Sequence, residues 1–586
     1  MLVANHNTTE QTASVTSPAS KPSWRFGDLS AATLLPQLQK HLAAQDTEAM
    51  WQLIWLNNDG RPVIGLLPKK SWSVYPTNHT LSNKLSAPYK VTKHCRDACL
   101  IDDTKDNTVT TTHMSYAAWQ DELIAYSQSY DNHNNHPKQS DKANDKANDK
   151  ASYHHGLIGF IGYDMAARDL SPTADIPLAA QPCAVLGHYD IYLTPAYESS
   201  DSAWTLTVNE THNDFSESGS NKSDNNKNAL VTTLISYLDE LDAKLSDKHL
   251  NQAPFKTLFK LTPLMLTARW HKHHYQQAFN QTQHYLQQGD CYQINLTQEW
   301  YGCLAPQNKL GEPLSTLMDY LPSLYRNTQA PFAGYLSTKY IGDKTHVDRQ
   351  NCTTKPNKMT EPQSHFELLS CSPELFFTFN KDNQTGSHHI HTKPIKGTMP
   401  RGATAEQDII YKQQLITSEK DRAENVMIVD LLRNDLGKYA KIGSVKVPKL
   451  FAIESFSNVH HMVSTISAEL KTATHPLAVL FGSLPAGSIT GTPKKRAVEI
   501  IAELETAPRG AYCGTMGYMN FDGSGQWNVL IRTLQANISS DNTLGKERHV
   551  SLWAGGGITV ASDCEAEYQE CLDKVGNLLS VLAQKI

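Results

Sequence analysis

Hydrophobic and polar positions are patterned differently in the two halves of the chain. Before about residue 250 the apolar runs are short: MWQLIWLN, GLIGFIGYD, AVLGHYDIYLTP and AWTLTVN each predict a strand. A helix, ALVTTLISYLDELDAKL, closes this half. Beyond it, HYQQAFNQTQHYLQQGDCYQINLTQEW predicts a helix, a Gly-Asp turn and an alternating strand. Gln407 to Gly437 keeps a helical period and predicts one long amphipathic helix stopped by glycine. Pro493 predicts the start of another helix, TPKKRAVEIIAELE, because proline suits the first helical position. A last helix is expected from Asp563 to Ala583. Strands and helices mix without a regular βαβ alternation. The expected class is therefore α+β, a mixed α/β chain, rather than a doubly wound sheet.

Three segments break this patterning. Asp131 to Ala151 holds the repeat DKANDKANDK, Thr211 to Asn228 reads THNDFSESGSNKSDNNKN, and a third lies between Asp343 and Gln363. None has the apolar content to offset the entropy of ordering, so all three predict solvated insertions. The expected organisation is a disordered tail over 1–22, an N-terminal region over 23–250 with inserts near 131–151 and 211–228, and a catalytic domain over 255–586.

Length and composition narrow the class. With 586 residues the chain exceeds a single ordinary core and predicts two or three domains. Its mean hydropathy of −0.46 fits a globular chain carrying polar inserts. Fifty-three basic against 59 acidic side chains leave a net charge of −6, which argues against a nucleic-acid binder. No apolar stretch reaches the roughly 18 residues of a bilayer span, and no basic-then-apolar leader opens the chain, so no membrane partner is expected. Ten scattered cysteines form neither a disulfide ladder nor a zinc pattern, which predicts reduced thiols and a cytoplasmic location.

Several constellations could carry chemistry. On the last helix Asp563, Glu567, Glu570 and Lys574 fall within an arc of about 60°, at roughly 100° per residue. The apolar stripe Tyr568, Cys571, Val575, Leu579 and Leu582 lies about 110° away. Charges so placed are usually a solvated face. The preceding WAGGGITVASD changes that reading, because three consecutive glycines let backbone approach a ligand closely. Asp421 and Glu424 form a second carboxylate pair on one face of the long helix. Two helices each giving carboxylates suit one Mg²⁺ with open coordination positions, and no His or Cys accompanies them to favour zinc.

PAGSITGTPKK fails as a phosphate loop, since only three residues separate Gly487 from Gly491 and Thr-Pro precedes the lysine. It reads as a tight turn whose amides could bind a carboxylate. TKPIKGTMPRG places Lys396 beside a glycine and between two prolines, a rigid setting in which a desolvated amine becomes a nucleophile. Among the clusters HKHH (His271 to His274), HHIH (His388 to His391) and His460-His461, only His461 is placed at a strand entrance; the others read as surface or loop residues.

Taken in order, LLSCSPELFF, TKPIKGTMPRG, EKDRAENVMIVDLLRNDLG, SNVHHMVSTI, PAGSITGTPKKRAVEII, RGAYCGTMGYMNFDGSGQWNVLIRTL and WAGGGITVASDCEAEYQECLDK resemble the chorismate-utilising enzymes. The resemblance runs closely from about Pro263 to Lys585 and loosely through GLIGFIGYD. It implies two interleaved domains of packed antiparallel sheets with helices outside. PIKGT is similar to the branch that forms 4-amino-4-deoxychorismate for 4-aminobenzoate and folate; the anthranilate-forming branch, the alternative, has alanine there. Gln293 stands where isochorismate- and salicylate-forming members carry a lysine base, which disfavours both.

Roles follow from the same resemblance. Glu424, Glu567 and Glu570 would hold Mg²⁺. Lys396 would add covalently at C2 of chorismate, Glu374 would protonate the departing C4 hydroxyl, and ammonia would then take C4. His461 would lie near the ring. Tyr512 and Arg532 would hold a substrate carboxylate, with Gln293, Ser488, Thr490, Gly556, Gly557 and Lys574 also lining the substrate. Nothing in the chain resembles a glutamine amidotransferase. Ammonia from glutamine would need a separate glutaminase subunit, in a heterodimer.

Overall fold

The computed structural model describes residues 22–45, 52–77, 89–96, 109–131, 151–196, 203–209, 220–246, 262–304, 316–340, 364–456, 459–538 and 548–584. The predicted tail up to residue 21, most of the 131–151 insert, the 343–363 segment and residues 211–219 lie outside that set.

Among the described residues, two twelve-stranded sheets are built from strands on both sides of residue 250. The first runs from an edge formed by Ser23–Trp24 and Trp204–Val208, through Ile54–Leu56, to Phe332–Tyr340, Ser364–Ser372, Thr533–Ile538, Arg548–Ile558 and Gln293–Leu304. The second carries Gly156–Ile161 and Ala184–His188 beside Thr515–Asn520, and ends in Val459–Glu469 and Ile395–Pro400. Strand pairs on both sides of these joins are antiparallel, as at Thr515↔Ile161 and Gly334↔Leu56. The α+β expectation holds.

Four apolar clusters hold the described residues together, the smallest of them packing the helices Lys272–Gln287 and Lys494–Leu504 on the strand Gln293–Leu304. Between the sheets lie Ile54, Phe160, Phe366, Leu368, Met516 and Tyr518, with Phe160 and Phe366 stacked at 5.5 Å. Outside the first sheet pack the helices Ala31–Gln45, Ser220–Ser246, Leu317–Thr328 and Cys564–Leu582. Outside the second pack Tyr116–Asp131, Glu419–Gly437 and Pro476–Ser483. Burial on this scale stabilises each cluster by about 25 cal/mol per Å² of apolar surface removed from water.

Five local expectations need correction. The predicted 407–437 helix is two helices, Ala405–Thr417 and Glu419–Gly437. Ser418 breaks them: its backbone is extended, and its hydroxyl accepts from the Asp421 N–H as the N-cap of the second. Pro493 is the N-cap rather than the first residue of Lys494–Leu504. Gln293–Leu304 is buried on both faces over its first eight residues, because the helices Lys272–Gln287 and Lys494–Leu504 pack against it. The polar 211–228 segment is helical from Ser220 onward. There Lys227 is buried because its Nζ lies 3.1 Å from Asp190, which also takes a two-pronged contact from Arg96. The HHIH run lies in the strand His388–Lys393.

Candidate active site

Two of the places where the chain passes from one sheet to the other run side by side. One is Pro373-Glu374, between Ser364–Ser372 and Leu375–Lys381; the other spans Val529 to Arg532, between Gly525–Asn528 and Thr533–Ile538. Ser372 Oγ donates to the Val529 carbonyl at 2.6 Å, and the Val529 N–H donates to the Glu374 carbonyl at 3.1 Å. These stitches fix Glu374 and Arg532 on the wall of a cavity of about 510 Å³. Lys396 enters from the edge strand, Gly555 and Gly557 from the strand after Trp553, and carboxylates from the helices Glu419–Gly437 and Cys564–Leu582.

Glu374 is buried, and its Oε1 accepts from Ser488 Oγ at 3.0 Å. Burial raises its pKa above the ordinary carboxylate range, so a proton is retained more readily there. Lys396 Nζ lies 3.7 Å from Glu424. Next to it Gly397 has φ of +79°, and a Cβ there would meet Asp421 and Leu415 within 3 Å, so no side chain fits. Thr398, one step further, shares a hydrogen bond of 2.9 Å with His461 Nδ1. Burial, with Arg532 near, pushes His461 down to about 4, which leaves the ring neutral at pH 7. Phe456 meets that ring edge-on at 5.4 Å.

Arg532 adopts a left-handed backbone, φ +51°, rare for a non-glycine and typical of sites that hold a side chain in a set direction. Among the described residues its guanidinium has no acidic partner, and burial lowers its pKa. A half-buried fork without an acidic partner on a cavity wall is suited to an anion. Tyr512 is buried and stacks on Trp553 at 6.0 Å.

The acids form a shared group with lysines. Lys420 Nζ lies 3.0 Å from Glu567 and 4.0 Å from Glu424, and Lys574 Nζ lies 2.8 Å from Glu570. Lys574 also donates to the Gly555 carbonyl at 2.8 Å. Glu567 accepts from Ser562 Oγ at 2.8 Å. Burial raises the Glu424 pKa, opposed by Lys396 and Lys420 and reinforced by Glu567 and Glu570. For Glu570 burial also acts upward, but Lys574, Lys420 and Lys396 together outweigh it and hold the carboxyl low. As arranged here, no three acidic, His or Cys side chains among the described residues are close enough together to form a metal-ligand set.

The cavity thus gathers Lys396, Glu374, His461, Ser488, Tyr512, Arg532, Gly557, Lys574, Glu424, Glu567 and Glu570. Three expected lining positions lie elsewhere. Thr490 is fully buried behind the wall, with its hydroxyl on the Ala486 carbonyl at 2.8 Å. Gln293 is fully buried against the back of Gly557, and its side-chain amide has no hydrogen-bond partner among the described residues. Gly556 faces Glu567 instead of the cavity, at 2.8 Å from Oε2 to where its Cβ would be. Asp563, read with the acidic face, caps its helix by accepting from the Ala566 N–H at 2.9 Å.

Sequence reasoning missed Asn295, Trp553, Lys420 and Asp573, all on the wall. Asn295 stands two residues after Gln293, on the same face of that strand, and Trp553 opens the WAGGG run; both positions were legible as neighbours of a motif. Behind the wall, Arg509 donates to both oxygens of Glu505 at 2.8 and 2.7 Å, and to the carbonyls of Ile489 and Asn295 at 3.1 and 2.7 Å.

Residues 97–580 match the family described as chorismate binding enzyme, and the chain belongs to that family. Within it, the chain is 36% identical over 429 residues to aminodeoxychorismate synthase component 1 of Klebsiella aerogenes, covering 73% of this chain and 77% of that one. It is 36% identical over 432 residues to the protein of the same name from Salmonella typhimurium, covering 73% and 76%. In fold it is similar to the crystal structure of anthranilate synthase component I from Streptococcus pneumoniae, with a TM-score of 0.55 at 20% identity, over 87% of this chain and 92% of that one. No helix among the described residues is long and apolar enough to cross a membrane.

Proposed function

We propose that the protein converts chorismate and ammonia to 4-amino-4-deoxychorismate, a precursor of 4-aminobenzoate and folate. The ammonia would be released from glutamine by a separate glutaminase subunit, in a heterodimer in the cytoplasm. The observation that carries the reading is Lys396, set on the cavity wall with the buried acid Glu374 on the same wall.

In the proposed sequence, Arg532 and Tyr512 bind a substrate carboxylate. The Lys396 amine, after losing its proton, forms a bond to C2; the ring diene shifts and the C4–O bond breaks. Glu374 gives its proton to that oxygen, which leaves as water instead of hydroxide. Ammonia then bonds to C4, the diene shifts back, and the C2–N bond to Lys396 breaks. The proton shed by the new amine restores Glu374. Neutral His461, held by Thr398, lines the ring site without adding charge. With C2 occupied by lysine, ammonia is diverted to C4. With alanine there, ammonia itself could take C2, the anthranilate outcome.

The donor set suits Mg²⁺. Six carboxyl groups and four cationic side chains line the cavity, so a dianionic substrate meets an excess of acid. Glu424, Glu567 and Glu570 offer only hard oxygen donors and would hold the ion. When bound, Mg²⁺ supplies positive charge for the substrate carboxylate.

The test is product identity. Purified protein with chorismate, Mg²⁺ and ammonium should give aminodeoxychorismate, identified by mass; fluorescent anthranilate as the main product would overturn the choice of branch.

A further inference from the structure

Lys420 is placed against its local interest. It lies in the first turn of Glu419–Gly437, where the helix dipole disfavours a cation and favours acids such as Glu419 and Asp421. Its stem lines the cavity and its side chain is half exposed, at 50%, whereas Glu567 is 2% exposed. One ammonium reaches carboxylates from two helices, Glu567 at 3.0 Å and Glu424 at 4.0 Å. Nothing else cationic touches Glu567 among the described residues; its second contact is the Ser562 hydroxyl.

A buried anion without a counter-charge is costly, so Glu567 needs a cation whether or not a metal is bound. A lysine on a four-carbon stem, half in water, can meet that need and then leave by rotating outward. From this we infer that Lys420 is a tethered stand-in for the divalent ion, which occupies the carboxylates of Glu567 and Glu424 in the metal-free enzyme and is displaced when the metal binds. The inference rests on the proposed metal role of these glutamates. Its consequence is a built-in competitor that weakens metal binding and keeps the empty site folded.

The test uses the full chain without chorismate and Mn²⁺ as the paramagnetic probe, titrated by electron paramagnetic resonance. Lys420→Met should bind Mn²⁺ about tenfold more tightly than the wild type, equivalent to about 1.4 kcal/mol. Lys420→Arg, which keeps the charge, should stay near the wild type. Metal-induced stabilisation follows free metal over Kd, so the melting temperature of the Met variant should also rise more at a fixed Mn²⁺ concentration. A second readout needs no variant: in the wild type, saturating Mn²⁺ should speed acylation of Lys420 by an amine-reactive ester, relative to exposed Lys495, as followed by peptide mass spectrometry. Equal or weaker Mn²⁺ binding in Lys420→Met, or slower labelling of Lys420 with metal, would overturn the stand-in role while leaving the metal site intact. Absence of Mn²⁺ binding in the wild type and in both variants would instead overturn the metal assignment itself.

Discussion

Replacing Arg509 by methionine tests the support of the cavity directly. The Arg509 side chain is 1% exposed and Glu505 is 3% exposed, so the pair is a buried one. Arg509 makes two contacts to the carboxylate and two to the carbonyls of Ile489 and Asn295. Methionine conserves much of the volume but removes all four. Glu505 would keep only the Thr297 N–H and hydroxyl, at 2.9 and 2.7 Å, as donors for a full charge. Removing one partner of a buried ion pair typically costs about 3–5 kcal/mol. In a chain of 586 residues, at about 2 cal/mol/K of unfolding entropy per residue, that lowers the melting temperature by roughly 2–4 °C. Because Ile489 and Asn295 lie on the wall, KM for chorismate should rise as well. Differential scanning calorimetry with a double-mutant cycle through Glu505→Gln is the assay. The double variant should be less destabilised than the sum of the singles, by about 2 kcal/mol. A loss under about 1 kcal/mol for Arg509→Met, or strict additivity, would refute the argument that this pair braces the wall.

Glu374→Gln keeps the shape and the Ser488 contact but removes the proton, so kcat should fall by about 10²–10⁴-fold with little change in chorismate affinity, measured by steady-state kinetics and equilibrium binding. Glu424→Gln and Glu570→Gln should each raise the Mg²⁺ concentration needed for half-maximal activity, lower the maximum, or both; an unchanged Mg²⁺ titration in both contradicts their assignment. Stability should also decline on acidification between about pH 6.5 and 4. His155 and His188 share a hydrogen bond of 2.9 Å between their Nε2 atoms, and burial lowers both pKa values, that of His155 to about 4. The unfolded chain therefore takes up protons that the folded chain refuses. This contribution is intact above 6.5 and lost as pH falls toward the folded pKa, by roughly 2–3 kcal/mol for His155. His155→Gln should flatten that slope in chemical denaturation series at several pH values.

The residues that gather at the cavity were legible where chemistry demanded an unusual residue in a rigid place. Lys396 between prolines and Glu567 and Glu570 after a triple glycine are such cases. Positions set by long-range packing were not legible. Gln407 to Gly437 reads as one helix because amphipathic periodicity passes through Ser418, and only the cap on Asp421 reveals the break. Ser220–Ser246 hid its start because Lys227 is polar in sequence and buried only by virtue of Asp190, which arrives from a distant turn. Thr490 lies beside cavity residues in the chain, yet its turn points its hydroxyl to the Ala486 carbonyl, and Gln293 shares a strand face with Asn295 but is covered by Gly557. Arg509 and Lys420 gave no signal, since each acquires its meaning from partners on other elements.

The most direct measurement is the product made by Lys396→Ala. Wild type and variant are given chorismate, Mg²⁺ and ammonium, and products are separated and weighed by mass spectrometry, with chorismate binding measured alongside. A nucleophilic lysine predicts aminodeoxychorismate from the wild type and near-complete loss of it in the variant. Chorismate affinity should be retained, and any residual turnover should shift toward anthranilate. Near-normal aminodeoxychorismate formation by Lys396→Ala would contradict the covalent role on which the whole reading depends.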